Sequence, residues 1–504
     1  MAVPLDPTGK LVALSPGIRL RTPGLRGNAE SHRPSPGADP TRAFRDVERS
    51  TPELEQALSN ENVTPQSTVE IANTREAAAA AAGAPVRSTA AGEAAIELQV
   101  AAPNQAQGQF VLSIDEAGVT TWNFARAGGG ELDVTRGGEP RTYLIPRYVA
   151  PAPAAGTAPA QRGLFGALGR KLLKVLVFPL VEPVIGAVGE HYAHEWEKSK
   201  RPYRVRSFTP DDYAQPDGTP VDPGRWQELS RGRALLMIHG TFSRAHTAFA
   251  GLPAAVVGGL HQIYGGRVFA FDHFTISEDP RQNVEWLLGQ IPADTKLNLD
   301  IVCHSRGGLV SRELSEKQDD FSLGSRRLQV GKVVFVAAPN AGTVLADGRY
   351  MGDFIDSHTN LLNFFPASGV TEVLEAIVTV AKMLSVGALE GLPGLQAMNP
   401  TGAFLADFNR GERGTDRYFA LASNYDPKDP GLKAWAVNRL LDRIFQNAGN
   451  DLVVPTLGVY DQNGGGYFPI DDRLVFGPER GIWHGGFFSE PDAQQSILRW
   501  LAAP

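Results

Sequence analysis

The stretch that constrains this chain most is 297–310, Leu-Asn-Leu-Asp-Ile-Val-Cys-His-Ser-Arg-Gly-Gly-Leu-Val. Leu297, Leu299, Ile301 and Val302 make an apolar run suited to a buried strand, and Leu309, Val310 and Leu314 recur at helical spacing. Between them lies His-Ser-Arg-Gly-Gly, room for a sharp turn and little else. A strand that turns straight into a helix with serine at the bend sets the serine oxygen at the helix N-terminus, where unpaired N–H groups favour negative charge. Ser305 is therefore a candidate nucleophile, provided the chain also supplies a base, an acid and donors for a developing oxyanion.

At 504 residues the chain exceeds what one hydrophobic core organises, roughly 250–300 residues, so a large domain with additions is expected. Lys and Arg total 48 against 55 Asp and Glu, a net charge of -7, which gives no general attraction to nucleic acid or acidic lipid. No nucleic-acid motif is present either. Cys303 is the single cysteine, which excludes an intramolecular disulfide and a cysteine-rich metal site. The opening Met-Ala-Val-Pro-Leu-Asp-Pro lacks the features of a secretory signal, so cytoplasmic residence is the expectation. The most apolar segment, 172–188, contains Lys174, Pro179, Glu182 and Pro183 and does not read as a membrane span of ~20 residues.

Residues 1–90 are rich in Pro, Ala, Gly, Ser and charge and end in an alanine tract, a composition expected to be mostly disordered, with one short helix near 51–59. Residues 91–150 change to alternating apolar residues and turn signals, at 96–100, 110–114 and 119–124. We read a small β-module there, without a polar constellation that would bind a ligand. Residues 151–225 read as a linker and an amphipathic helical arm, with Leu172, Leu173, Leu176, Val177 and Leu180 among Arg170, Lys171 and Lys174. A basic helix over 164–200 could make peripheral membrane contact. Pro179 and Pro183 interrupt its apolar face, which favours an arm packed on the main domain.

From about Arg231 strand and helix patterns alternate, predicting an α/β class with a mostly parallel sheet covered on both faces. Between 344 and 415 the alternation lapses into apolar helical periodicity (Leu374, Ile377, Val378, Ala381, Leu384), an insertion long enough to form a helical cap.

The Cys303-His-Ser-Arg-Gly-Gly turn resembles the nucleophile elbow of the α/β-hydrolase superfamily, and of its lipase-like branch in particular. Leu235-Leu-Met-Ile running into His239-Gly-Thr resembles the oxyanion turn of lipases. Ala338-Pro-Asn-Ala-Gly-Thr and Gly394-Leu-Gln-Ala-Met-Asn-Pro resemble further lipase segments. Cys303 departs from the usual glycine and reads as buried filler. The resemblance implies an α/β-hydrolase domain over 226–504, with the cap inserted at about 344–415.

It also implies a triad in the chain order serine, acid, histidine. Two histidines follow Ser305: His358 inside the insertion and His484 in a glycine-flanked loop before the last helix, whose position favours His484 as the base. Asp451, in Asn450-Asp-Leu-Val-Val-Pro, resembles the acid-bearing segment of bacterial triacylglycerol lipases and is preferred to Asp426, directly after the 418–422 strand pattern. The oxyanion hole falls to the N–H groups of Thr241 and Arg306, with Phe242 as the neighbouring alternative to Thr241. His239 and His304 are expected to be structural. No cofactor and no metal is implied. The implied activity is lipase- or esterase-like hydrolysis of a small-molecule or lipid carboxylic ester, with a membrane-associated phospholipase and a non-catalytic binding protein on a hydrolase scaffold as alternatives. No protein partner can be named.

Overall fold

The computed structural model describes residues 1–33, 52–77, 95–125, 139–147, 170–180, 188–366, 368–410, 417–438, 441–461, 468 and 470–503. Its N-terminal part contains β1 (Val3–Pro4), β2 (Val12–Ser15), β3 (Ile18–Arg21), β4 (Leu25–His32), helix α1 (Pro52–Asn60), β5 (Thr64–Glu76), β6 (Ala95–Val100), β7 (Gln107–Asp115), β8 (Thr120–Asn123), β9 (Arg141–Pro146) and β10 (Lys171–Pro179). Antiparallel pairing gives two sheets, in the orders β1-β4-β5-β10-β7-β8 and β2-β3-β6-β9. Ile18, Leu20, Val69, Ile71, Ile96, Leu98, Leu173 and Val175 fill the space between them, as in a β-sandwich.

Three expectations are corrected by this sandwich. Residues 1–33 and 52–77, expected to be mostly disordered, form five strands and α1. Their apolar residues are sparse because short strands bury one face only, and the burial partners lie far along the chain. The alanine tract lies mostly outside the described residues. Residues 91–150 are no module by themselves, since β6 pairs with β3 and β7 with β10. The helical arm at 164–200 is instead β10, bonded on both sides by β5 and β7, followed by helix α2 (Val188–Lys200). Leu173 and Val175 face the sandwich core while Leu176 and Phe178 face the larger core, so the run is apolar on both sides and shows no period-two signature. The side a membrane helix would have turned to lipid is buried. Residues 164–169 and 181–187 lie outside the described residues.

The C-terminal part contains β11 (Arg204–Ser207), β12 (Arg233–Ile238), α3 (Ala254–Tyr264), β13 (Val268–Asp272), α4 (Pro280–Gln290), β14 (Lys296–His304), α5 (Gly307–Glu316), β15 (Arg327–Val336), α6 (Met351–Phe364), α7 (Val370–Ser385), β16 (Arg417–Ser423), β17 (Asp472–Phe476) and α8 (Pro491–Ala502). The sheet runs β11-β13-β12-β14-β15-β16-β17, parallel throughout except for β11. It therefore begins at Arg204 and not after 226, because β11 closes the edge beside β13. Leu235 and Met237 pack toward α3 and α8, while Leu236 and Ile238 share the opposite core with α4 and α5. Helices on both faces and this strand order make the part α/β-hydrolase-like.

The chain leaves β12 for β13 on one side and returns to β14 on the other. At that reversal the C-terminal ends of adjacent strands open into a crevice, the usual place for a site in such sheets. The insertion carrying α6 and α7 lies between β15 and β16 and is gripped by the sandwich. Thr120 and Trp122 N–H groups donate to Asn360 Oδ1 and Asp356 Oδ1 at 2.8 Å each. Glu61 accepts from Trp196 Nε1 and Lys382 Nζ, both at 3.0 Å. Among the described residues no helix is long and apolar enough to cross a membrane.

Candidate active site at the end of the parallel sheet

Ser305 stands at the reversal between β14 and α5 with φ 51°, a left-handed value that costs a non-glycine residue roughly 1–2 kcal/mol and persists where the surroundings hold it. Its N–H donates to Val336 O at 2.9 Å, fastening the turn to β15. Two glycines let the neighbouring turns touch. A Cβ on Gly307 would lie 2.5 Å from the His239 carbonyl oxygen, and one on Gly240 would lie 2.6 Å from Ser305 Cβ.

Ser305 Oγ is 3.0 Å from His484 Nε2, and His484 Nδ1 is 2.8 Å from Asp451 Oδ2. The carboxylate can only accept, so Nδ1 carries the proton and Nε2 presents its lone pair to the serine hydroxyl. The three residues are 3, 4 and 2 % exposed in that order. Asp451 Oδ1 accepts from the N–H groups of Val453 (3.0 Å) and Val454 (2.7 Å), and Asn450 Oδ1 from Leu452 N–H (3.0 Å). The Asn-Asp-Leu-Val-Val run is thereby wound into a tight turn that aims one carboxylate oxygen outward. Tyr425 N–H to Asn450 O (2.7 Å) and Thr456 Oγ1 to Ser423 O (2.5 Å) tie that turn to the end of β16.

The other candidates stand elsewhere. Asp426 is exposed and faces Lys433 at 3.2 Å. His358 hangs from α6 with its ring centroid 6.0 Å from that of His484 and 5.1 Å from that of Phe242, and its Nδ1 donates to Phe354 O at 2.9 Å. Burial, with the nearby His484 adding to it, holds its pKa down at about 3. His304 Nε2 donates to the His484 carbonyl at 3.0 Å, and burial lowers its pKa to about 3. His239 donates from Nδ1 to Gly240 O (3.0 Å) and accepts at Nε2 from His273 N–H (3.1 Å). Burial, opposed by Asp272, lowers its pKa to about 4. Both histidines hold backbone. Cys303 is fully buried, with its thiol pushed up to about 12 by desolvation.

Thr241 and Arg306 N–H groups find no acceptor among the described residues, whereas Phe242, at φ 62°, donates its N–H to Thr275 Oγ1 at 3.3 Å. Three contributors were missed by sequence reasoning. The buried Arg306 guanidinium donates to Gly394 O (2.7 Å), Asn283 Oδ1 (2.9 Å) and Glu278 O, bolting the turn to the insertion, to α4 and to the segment before it. Burial brings its pKa down to about 10. Glu197 and Arg201 reach the site from the end of α2, and nothing in the local pattern of that helix marks them as buried.

Among solved structures the chain resembles lipase 1 from Pelosinus fermentans, with 12% identity, coverage of 54% of this chain and 99% of that one, and a TM-score of 0.37. It also resembles a probable hydrolytic enzyme from Pseudomonas aeruginosa PAO1 (14% identity, 54% and 86% covered, TM-score 0.34). A third is 2-hydroxy-6-oxo-6-phenylhexa-2,4-dienoate hydrolase from Rhodococcus sp. strain RHA1 (13% identity, 54% and 91% covered, TM-score 0.32). No curated protein matches the sequence. A family model described as a domain of unknown function (DUF7379) matches residues 200–502, more than half of the chain.

Proposed function

We propose that this chain, which belongs to the family described as a domain of unknown function (DUF7379), is a serine hydrolase that cleaves carboxylic esters through an acyl-enzyme. The observation that carries the reading is the unbroken hydrogen-bond line from Ser305 Oγ through His484 to Asp451, with the serine on a left-handed turn. Ser305 attacks the ester carbonyl while His484 Nε2 takes its proton, and Asp451 stabilises the imidazolium so formed. Thr241 and Arg306 N–H groups receive the oxyanion, each contributing about 3 kcal/mol to the transition state. The bond to the leaving alcohol breaks as His484 returns the proton. Water then attacks the acyl-enzyme with His484 as base and releases the acid.

Phe242 packs on Phe354 and Met398 Sδ lies 3.7 Å from Thr241 Oγ1, so apolar side chains border the oxyanion turn, a setting suited to an acyl chain. The phospholipase alternative takes 164–200 as a membrane-contact arm and the insertion as a lid, but the apolar part of that arm is β10, paired on both sides by β5 and β7.

A fluorophosphonate probe and a panel of esters from acetate to laurate test the proposal. Wild type should label at Ser305 and hydrolyse part of the panel, and Ser305→Ala should lose labelling and at least ~10⁴-fold in rate. Equal labelling of both proteins, or a folded wild type that cleaves no ester, would return the chain to a non-catalytic binding role.

A further inference from the structure

Glu197 is 1 % exposed and has no ion-pair partner among the described residues. Its Oε1 accepts from the N–H groups of Thr275 (2.6 Å) and Ile276 (3.0 Å), and its Oε2 from the N–H (2.9 Å) and hydroxyl (2.6 Å) of Ser277. Three successive backbone N–H groups thus curl around one carboxylate, a nest that fixes the shape of the 275–277 segment. The Thr275 hydroxyl lies 3.4 Å from Glu197 Oε1. It can only donate to that oxygen, so its lone pair is turned to the Phe242 N–H at 3.3 Å.

Arg201, equally buried, grips the same residue from the other side. Its Nη1 donates to Phe242 O and its Nη2 to Glu372 O in the first turn of α7. Both backbone polar groups of Phe242 are therefore held from the end of α2, one directly by Arg201, the residue after it, and one by Glu197 through Thr275. Phe242 is a bulky residue at φ 62°, a conformation its own preferences disfavour and its surroundings must impose. Directly before it stand Thr241, whose N–H is free, and Gly240, in contact with Ser305. With the Phe242 N–H held by Thr275, the Thr241 N–H is the one of the two that has no acceptor among the described residues.

We propose that Glu197 and Arg201, with Thr275 between Glu197 and the turn, are positioning residues that hold the oxyanion turn in its working shape. The inference rests on the ester-hydrolase reading above. Donors stabilise an oxyanion only when already set 2.7–3.1 Å from where it forms. If Phe242 relaxes out of the left-handed region, the Thr241 N–H swings off that position, and the loss falls on the transition state while substrate binding is spared.

The test uses the full chain, with active sites counted by fluorophosphonate titration. It compares Thr275→Val, which keeps the shape and removes the hydroxyl, with Thr275→Ser, which keeps the hydroxyl, and adds Glu197→Gln. The readouts are kcat, KM and inhibition by an alkyl boronic acid, whose tetrahedral adduct with serine imitates the oxyanion. Thr275→Val should lower kcat about tenfold with KM within about twofold, and weaken the boronate by the same factor. Thr275→Ser should stay within about twofold of wild type, and Glu197→Gln should lose more than Thr275→Val. Unchanged kcat per active site in Thr275→Val, or a fall in kcat with unchanged boronate affinity, overturns the proposal. Ser305-dependent turnover that ignores the Thr275 and Glu197 variants overturns the brace alone, whereas a wild type without such turnover overturns the hydrolase reading and the brace together.

Discussion

The parallel sheet β11–β17 and the antiparallel sandwich β1–β10 are built from similarly apolar strands, yet they leave their polar groups in different places. Six strands of the parallel sheet end on one side, so the turns after β12 and β14 and the loops after β16 and β17 open into a single region. Thr241, Ser305, Asp451 and His484 meet there from positions scattered over more than two hundred residues. In the sandwich, neighbouring strands run in opposite directions and their ends alternate. Some of its buried polar groups bond within it, as Gln109 does with Gln66 and Tyr143, and others face the insertion: Glu61 pairs with Lys382, and β8 offers its N–H groups to Asp356 and Asn360. Strand direction decides where chemistry can gather, and the sandwich holds the insertion between β15 and β16.

That division of labour can be broken in three ways. The largest effect should come from the carboxylates. Asp451→Asn should lower kcat about 10⁴-fold by presenting the wrong histidine tautomer, while Asp426→Asn should stay within about twofold, as steady-state ester kinetics would report. Equal losses would mean that the loops after β16 do not converge in the working enzyme. Next, Lys382→Met leaves the Glu61 carboxylate buried without its cation and should destabilise the sandwich–insertion contact by about 3 kcal/mol in urea denaturation. A loss of chemistry matching that of Asp451→Asn would erase the distinction between the two regions.

The smallest effect is acid sensitivity. His239 and His304 are held near pKa 4 and 3 by burial, against an ordinary value near 6.5. As pH falls through 6.5 the unfolded chain takes up protons that the folded chain refuses, so the stability present above 6.5 is lost on the way down toward 4. By pH 5 the loss should be about 2 kcal/mol for each histidine, and because burial holds His273 and His358 down as well, His239→Gln should remove roughly a quarter of the slope. The sandwich strands contain one histidine, His32, and it is exposed. Hydrogen exchange at pH 5 should therefore open the parallel sheet before the sandwich, and the reverse order would place the acid-labile groups elsewhere.

The parallel sheet was the more legible region for a physical reason. Its strands are short apolar runs separated by helices of clear period, and the turn around Ser305 carries a distinctive spacing of small residues. His484 could be read from its loop beside the last helix. Asp451 was separable from Asp426 only through resemblance, since either follows β16, and the difference lies in a turn wound by Asn450 and Val454. The sandwich was nearly silent, because β10 is apolar on both faces and β1–β5 bury single residues against partners that for β5 lie a hundred or more positions away. Glu197 was silent as well, because a carboxylate satisfied by backbone N–H groups leaves no partner in the sequence to suggest it is buried.

The contact between β8 and α6 carries a consequence beyond holding the insertion still. β8 is the last strand of its sheet, and a last strand exposes a ladder of unmet N–H groups to which any other extended chain can add. Asp356 and Asn360 occupy that ladder with side-chain oxygens, so α6 serves as the strand that is not there. A chain trimmed of its insertion would acquire an adhesive rim, and the molecules would join edge to edge through Thr120 and Trp122.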